Sequence, residues 1–433
     1  MVRFLSTRGR SEPVGLGTAV LQGLAPDGGL YIPESIPVLP QDVRQPHGRV
    51  PSFPELAVQV LSRWTDDWLT PAQFEQLAER VFTFEAPLVA PAGETDMHIL
   101  ELFHGPTLSF KDFGARLLGG FLGHLQQKSD QETVVLVATS GDTGSAVADG
   151  CSGIEGVKVV LLYPKRGVSP TQESQLTVRR PGVLPVRVDG SFDDCQRMVK
   201  GAFMGPLPAR IRLTTANSIN IARLMAQMIY YIHAGLRLMG KGVDGRAPVF
   251  CVPSGNLGNL TAGILAYRAG MPARGFIAAH NANDFFPSWL QDESARFAPS
   301  VKTLSNAMDV GAPSNFERLT YFFSHDELAS LVRGERVTDE QTRGQMRITW
   351  QKNRYMADPH TAVALHAAKR ADEQDGPVVV LSTAHPAKFP ETVRDAIGLE
   401  PDVPEQLAAM ANQPHYAMPM DVDPSGLLEL IRA

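Results

Sequence analysis

The chain has 433 residues, too many for one ordinary domain, and its 43% hydrophobic and 20% charged content is that of a soluble globular protein. A net charge of -6 leaves no basic excess to neutralise a phosphate backbone, which argues against a general nucleic-acid binder. Cys151, Cys195 and Cys251 form no CxxC pair, Met1 to Arg10 lacks an apolar core of signal-peptide length, and no run of about 18 apolar residues occurs. A disulfide framework, a metal site and a membrane partner are therefore not expected, and a cytoplasmic location is.

Residues 1–90 are irregular and proline-dense from Pro33 to Pro54, with helical patterning at Phe53 to Trp64 and Pro71 to Phe82. They predict a small, mainly helical N-terminal domain that serves as scaffold. Residues 96–102 read as a strand leading into His104-Gly105-Pro106-Thr107, a turn, and then into apolar residues at helical spacing: Phe110, Phe113, Leu117, Leu118, Phe121, Leu122 and Leu125. Lys111 falls in the first turn of that helix. A lysine among apolar neighbours loses hydration of its charged form, so more of it is free amine, and free amines form Schiff bases with carbonyl groups. The same pattern also suits a surface lysine beside a buried helix face.

Short β-branched runs then alternate with helices: strands at Thr133 to Ala138, Val157 to Leu162, Val183 to Val188 and Ile211 to Thr215, with helices at Ser145 to Gly150, Pro170 to Val178 and Phe192 to Phe203. A long buried helix is expected from Ser218 to Met239, strands at Pro248 to Val252 and Gly275 to Ala279, and a helix from Asn259 to Arg268. Asn281 to Thr349 reads as irregular with two short helices. His360 to Arg370, Pro377 to Leu381 and Ala387 to Ile397 read as helix, strand and helix, and the proline-rich tail carries one signal, the apolar Leu427 to Ile431. Strand and helix in alternation imply mostly parallel sheets covered on both faces. Two α/β domains are expected beside the N-terminal segment: a large one of residues 91–115 and 216–433, and a small one of residues 116–215.

Four segments carry chemistry. Thr139-Ser140-Gly141-Asp142-Thr143 follows a strand and opens a helix, where free backbone N–H groups and the helix dipole favour a carboxylate or phosphate; an ordinary capped helix start has the same residue types. Gly255-Asn256-Leu257-Gly258-Asn259 repeats that placement. It is neither the G-x-G-x-x-G fingerprint nor a P-loop, yet its donors suit a phosphate monoester, or form a plain tight turn. Asn217 and Ser218 offer cap chemistry with Arg223 a turn further in, fit for a dianion or for a solvated surface. Ser382 and Thr383 place hydroxyls at the end of the last strand. One lysine, three anion-suited helix starts and a strand-end hydroxyl together describe a cofactor bearing an aldehyde, a phosphate and a ring nitrogen, which is pyridoxal 5'-phosphate.

These segments, with Ser6-Thr7-Arg8-Gly9 and Val20 to Tyr31 near the N-terminus, resemble the threonine synthases, fold-type-II pyridoxal-phosphate enzymes of the tryptophan-synthase-β class. The resemblance covers most of the chain. It implies two mostly parallel α/β domains, and conversion of O-phospho-L-homoserine and water to L-threonine and phosphate. It implies Lys111 as the catalytic lysine that holds the cofactor, Gly255, Asn256, Leu257, Gly258 and Asn259 as the phosphate loop, and Thr383 as partner of the ring nitrogen. Thr139, Ser140 and Thr143 would receive the substrate carboxylate, and Asn217, Ser218 and Arg223 the substrate phosphate. Asp142, also implied at the cofactor, stands where many relatives carry Asn. A phospholyase releasing 2-oxobutyrate, a threonine dehydratase and a catalytically silent phosphometabolite-binding protein share much of this pattern, and the oligomeric state stays open between monomer and homodimer.

Overall fold

The computed structural model describes residues 2–44, 49–65, 68–94, 96–240, 246–369, 371 and 376–432. Contacts divide the chain into a first unit, Met1–Val2, Pro33–Phe110 and Leu224–Asp402, and a second, Arg3–Ile32, Lys111–Arg223 and Val403–Ala433. The polypeptide thus leaves the first unit between Phe110 and Lys111 and re-enters it between Arg223 and Leu224. These lines differ from the three segments expected from sequence. Residues 1–90 are shared out because the helix Leu16–Gln22 packs on the helix Lys111–Gln126 and the strand Ile211–Thr214, whereas the helices Phe53–Thr65 and Pro71–Val81 pack on each other in the first unit.

Among the described residues the first unit holds a six-stranded sheet in the order Val332–Arg336, Gly275–His280, Val249–Pro253, Val378–Ser382, Met97–Glu101, Leu88–Val89. Every pairing is parallel except the last, at the Leu88–Val89 edge. The central strands are fully buried and apolar except at their ends, His280 and Ser382, the pattern of a sheet covered on both faces. One face packs on Pro359–Ala368, an alanine-rich helix whose Ala362, Val363, Ala364 and Ala367 reach the core with Cys251, Ile277 and Val380.

The second unit holds a five-stranded, all-parallel sheet in the order Met418–Met420, Val183–Val188, Val157–Pro164, Glu132–Ala138, Ile211–Thr214. Helices Phe192–Met204 and Pro424–Arg432 bury Cys195, Met198, Leu427 and Ile431 against Val134, Leu136, Leu162 and Val186. Near the N-terminus, Val14–Gly15, Arg3–Ser6 and Tyr31–Pro33 form a third, small sheet.

The departures from expectation have physical causes. The region read as irregular contains the edge strand Val332–Arg336, with one apolar residue, and the 15-residue helix Asp339–Asn353. That helix buries Thr342, Gln345 and Thr349 beside a single Met346, so its inward face carries no hydrophobic period. In the tail, Glu405–Ala411 is helical and Met418–Met420 joins the second unit's sheet at its edge, where Pro419 is tolerated. The long helix runs Ile221–Gly240, beginning after Ser218, and Arg370, the expected end of another helix, lies outside the described residues.

The helices Lys111–Gln126 and Asp142–Gly150 touch through their backbones. A Cβ at Gly119 would stand 1.9 Å from the Gly150 carbonyl oxygen, and one at Gly150 would stand 2.7 Å from the Ala115 carbonyl carbon. Gly123, on the same helix, would meet only Ile154 Cγ2 at 3.4 Å. Gly119→Ala is therefore expected to cost at least about 1–3 kcal/mol through forced separation of two helices. Gly123→Ala should be neutral or stabilising by up to about 1 kcal/mol. Chemical denaturation of both variants checks the pair, and equal midpoints would show that the helices tolerate separation.

Candidate functional site

In the second unit, three of the singled-out segments come together. Lys111 is the first residue of its helix, and its Nζ lies 3.5 Å from Asp142 Oδ2, with the side chains 14% and 2% exposed. The neighbour of the lysine is thus a buried carboxylate, whose field favours the ammonium form and opposes the effect of the flanking phenylalanines. Asp142 opens its own helix after Gly141, whose φ of 135° is open to glycine alone. Thr139 is buried and accepts from the backbone N–H groups of Gly141 (3.0 Å) and Gly144 (2.8 Å), which shapes the turn, while Ser140 and Thr143 are half-buried.

Asn217 Nδ2 donates to the Ala138 carbonyl at 3.2 Å, so the 217–218 segment is tied to the residue that precedes the Thr139 turn. The cap of the next helix is Asn220, not Asn217 or Ser218. Its Oδ1 accepts from Ala222 N–H at 3.2 Å, and its Nδ2 reaches the carbonyls of Val20 and Thr215, both at 3.0 Å. Arg223 is 2% exposed rather than solvated. It donates to the Ala216 carbonyl, and its Nε runs so close to the lysine helix that a Cβ on Gly114 would come within 2.6 Å of it.

In the first unit the His104–Phe110 run is stitched to the end of the strand Val378–Ser382. Phe110 N–H donates to the Thr383 carbonyl (2.9 Å), His385 N–H to the Leu108 carbonyl (3.0 Å), and the buried Lys388 to the Thr107 carbonyl (2.8 Å). Thr361 gives its hydroxyl proton to the buried Asp358 carboxylate, so the Ser382 hydroxyl, 2.9 Å from Thr361 Oγ1, gives its own proton to Thr361. Among the described residues Thr383 makes no side-chain hydrogen bond to protein, which leaves it, of the two hydroxyls, free to meet a ligand.

The turn Gly255 to Asn259 links the strand Val249–Pro253 to the helix Gly258–Arg268. Leu257 takes a left-handed φ of 59°, and a Cβ on Gly255 would stand 2.7 Å from Met308 Cα. Asn256 ties the turn to the segment after Pro313: its Oδ1 accepts from Ser314 N–H at 2.5 Å and its carbonyl from Asn315 Nδ2 at 3.0 Å. Arg318, fully buried, donates to Asn315 Oδ1 at 2.6 Å, and burial pushes its guanidinium down to about 9. Asn259 Oδ1 lies 2.5 Å from the Tyr230 hydroxyl and 2.8 Å from that of Tyr231, a phenol that burial holds protonated. Its amide nitrogen is consequently turned away from both, buried, and without a protein partner among the described residues.

Sequence reasoning missed Gln172, Asn220, Tyr230, Tyr231, Asn315 and Arg318. A polar pair inside the long apolar helix was a legible sign for the tyrosines, and Ser169-x-x-Gln172 is a capping-box pattern. Asn315 and Arg318 lie in a region without periodicity and gave no signal. Each unit by itself holds donors that a phosphorylated aldehyde needs: a lysine amine in the second, and in the first an orphaned buried amide beside the open N–H groups of a helix start and a strand-end hydroxyl.

The profile of the pyridoxal-phosphate dependent enzymes matches residues 87–384, that of the threonine synthase N terminus residues 3–82, and that of the threonine synthase C-terminal region residues 361–431. The chain is 37% identical to threonine synthase of Escherichia coli over 431 residues, 99% of each chain, and 39% identical to that of Haemophilus influenzae over 417 residues, 95% of each. Among solved structures, E. coli threonine synthase superposes with a TM-score of 0.90 at 37% identity over 99% of both chains. The pyridoxal-phosphate-bound threonine synthase of Brucella melitensis does so with 0.90 at 32% identity, over 100% of this chain and 99% of that one. From Arg3 to Ile431 each stretch of the chain is thereby matched, and it belongs to the threonine synthase family of pyridoxal-phosphate-dependent enzymes.

Proposed function

We propose that the protein converts O-phospho-L-homoserine and water to L-threonine and phosphate in the cytoplasm, with Lys111 as the residue that holds pyridoxal phosphate. The observation that carries this reading is the placement of Lys111 Nζ at the head of its helix, mostly buried, against the Asp142 turn. When bound, the cofactor supplies an electron sink for charge developing on the substrate carbons.

The chain's own residues divide the remaining work. Gly255, Leu257, Gly258 and Asn259 bind the cofactor phosphate through backbone N–H groups and the orphaned Asn259 amide, with Asn256 securing the loop from behind. Thr383 offers its hydroxyl to the ring nitrogen. Ser140 and Thr143, on the turn that Thr139 shapes, receive the substrate carboxylate at the start of the Asp142 helix. Asn217, Ser218 and Arg223 hold the substrate phosphate and keep it after it leaves Cγ. The Lys111 amine, one helical turn from the Gly114 surface that Arg223 lines, takes a proton from the substrate Cα and one from Cβ as phosphate leaves Cγ, and returns one at Cγ. It returns the other at Cα once water has added its hydroxyl at Cβ, the water's remaining proton going to the released phosphate.

With purified protein and phosphohomoserine, threonine and phosphate are expected in equal amounts; 2-oxobutyrate as main product would replace this reading with a phospholyase. Borohydride treatment of the holoenzyme followed by peptide mass spectrometry should find the pyridoxyl group on Lys111, and none in Lys111→Ala; label on another lysine would overturn the assignment. Asn259→Asp, which puts a carboxylate where the amide nitrogen stands, should weaken cofactor binding to the apoenzyme by about tenfold to a hundredfold in equilibrium dialysis. Unchanged affinity would remove Asn259 from the phosphate site.

A further inference from the structure

Gln172 is 1% exposed and sits at the third position of the helix Pro170–Thr177. Its side chain joins the helix cap to Asp142. Oε1 accepts from the Ser169 backbone N–H at 3.2 Å, completing a capping box in which Ser169 Oγ accepts from Gln172 N–H at 3.1 Å. A backbone N–H only donates, so the atom facing it is the oxygen, and the amide nitrogen is left to face Asp142 Oδ1 at 3.1 Å. The amide also lies flat against Gly141, where a Cβ would come within 2.6 Å of Gln172 Cδ. Asp142 Oδ1 therefore receives an N–H and carries no proton, while Oδ2 faces Lys111 Nζ.

We propose that Gln172 is a positioning residue for the Lys111–Asp142 pair: a helix-capping glutamine fixes which oxygen of Asp142 faces the lysine and keeps that carboxylate ionised. The ionised carboxylate in turn holds Lys111 as an ammonium ion by charge attraction across Oδ2. The importance of the pair rests on the reading of Lys111 as the cofactor lysine; the geometry of the pair does not.

The test is a double-mutant cycle read by the rate at which trinitrobenzenesulfonate labels Lys111 in the cofactor-free protein at one fixed pH, quantified on the Lys111 peptide. Asp142→Asn removes the carboxylate and should speed labelling at least about threefold, since more lysine is then free amine. Gln172→Met, similar in volume but without hydrogen bonds, should speed it by a comparable factor, and the double variant should match Asp142→Asn alone. Ser169→Ala weakens the same capping box from its other side while sparing the Gln172–Asp142 bond, and should leave labelling unchanged. In the holoenzyme the cofactor's absorption maximum should move in Gln172→Met and stay in Ser169→Ala. If Gln172→Met labels like the wild type, if Ser169→Ala changes labelling as much as Gln172→Met, or if the two single effects multiply in the double variant, Gln172 is a helix cap and nothing more. Borohydride fixation at another lysine would instead remove the cofactor reading while leaving the outcome of the cycle intact.

Discussion

The second unit depends on a contact with no side chains in it. Gly119 and Gly150 let two helices meet backbone to backbone. Lys111 lies eight residues before Gly119, and Asp142 eight residues before Gly150. At about 1.5 Å of rise per residue, both candidate side chains therefore stand about 12 Å from the contact, at the same end of helices running side by side. The 3.5 Å between Lys111 Nζ and Asp142 Oδ2 is thus set by glycines two turns away. A methyl group at either one would open the angle between the helices and change that distance without touching a polar atom.

Bringing two helix starts together concentrates positive potential where the lysine stands. A helix N-terminus favours anions, so both dipoles stabilise Asp142 as a carboxylate and disfavour Lys111 as an ammonium ion. The carboxylate then restores the ammonium by direct attraction. The balance leaves a mostly buried lysine whose ammonium form a neighbouring carboxylate favours, and a cluster of open N–H groups that calls for an anion. Arg223, buried against the lysine helix and bonded to a backbone carbonyl, adds to the same field.

Much of this was legible in the sequence because it is written in turn and helix-start chemistry. Lys111, the Asp142 turn and the Gly255 turn each announce themselves through glycine and hydroxyl residues after an apolar strand. The supporting residues are of another kind. Arg318 and Asn315 secure the Gly255 turn from a region whose helices bury polar faces, so hydrophobic periodicity, the signal that reveals a helix, is absent there. The strands Val332–Arg336 and Met418–Met420 extend their sheets at edges, where short polar or proline-containing segments suffice because only one neighbour must be satisfied. Asn220 displaced Asn217 as the cap because a strand-end carbonyl already engages Asn217, a tertiary partner that no local pattern records.

The hydroxyls at the end of the strand Val378–Ser382 show how a buried charge is kept away from a ligand. Asp358 accepts from His360 Nδ1 at 2.6 Å, from the backbone N–H groups of His360 at 2.9 Å and Thr361 at 3.1 Å, and from the Thr361 hydroxyl. With these partners its negative charge is spent inside the fold, and Ser382, which points its proton toward Thr361, carries the polarity no further. The neighbouring Thr383 hydroxyl takes no part in that chain of bonds, and it is neutral. On the proposed reading, a ring nitrogen meeting the Thr383 hydroxyl would receive a hydrogen bond but no full proton, and the ring would draw electrons less strongly than one paired with a carboxylate. Charge would then stay longer on the substrate carbons, where proton placement decides the product. On that reading, control of the reaction would shift from the cofactor to the group that moves protons, the lysine whose carboxylate neighbour is Asp142.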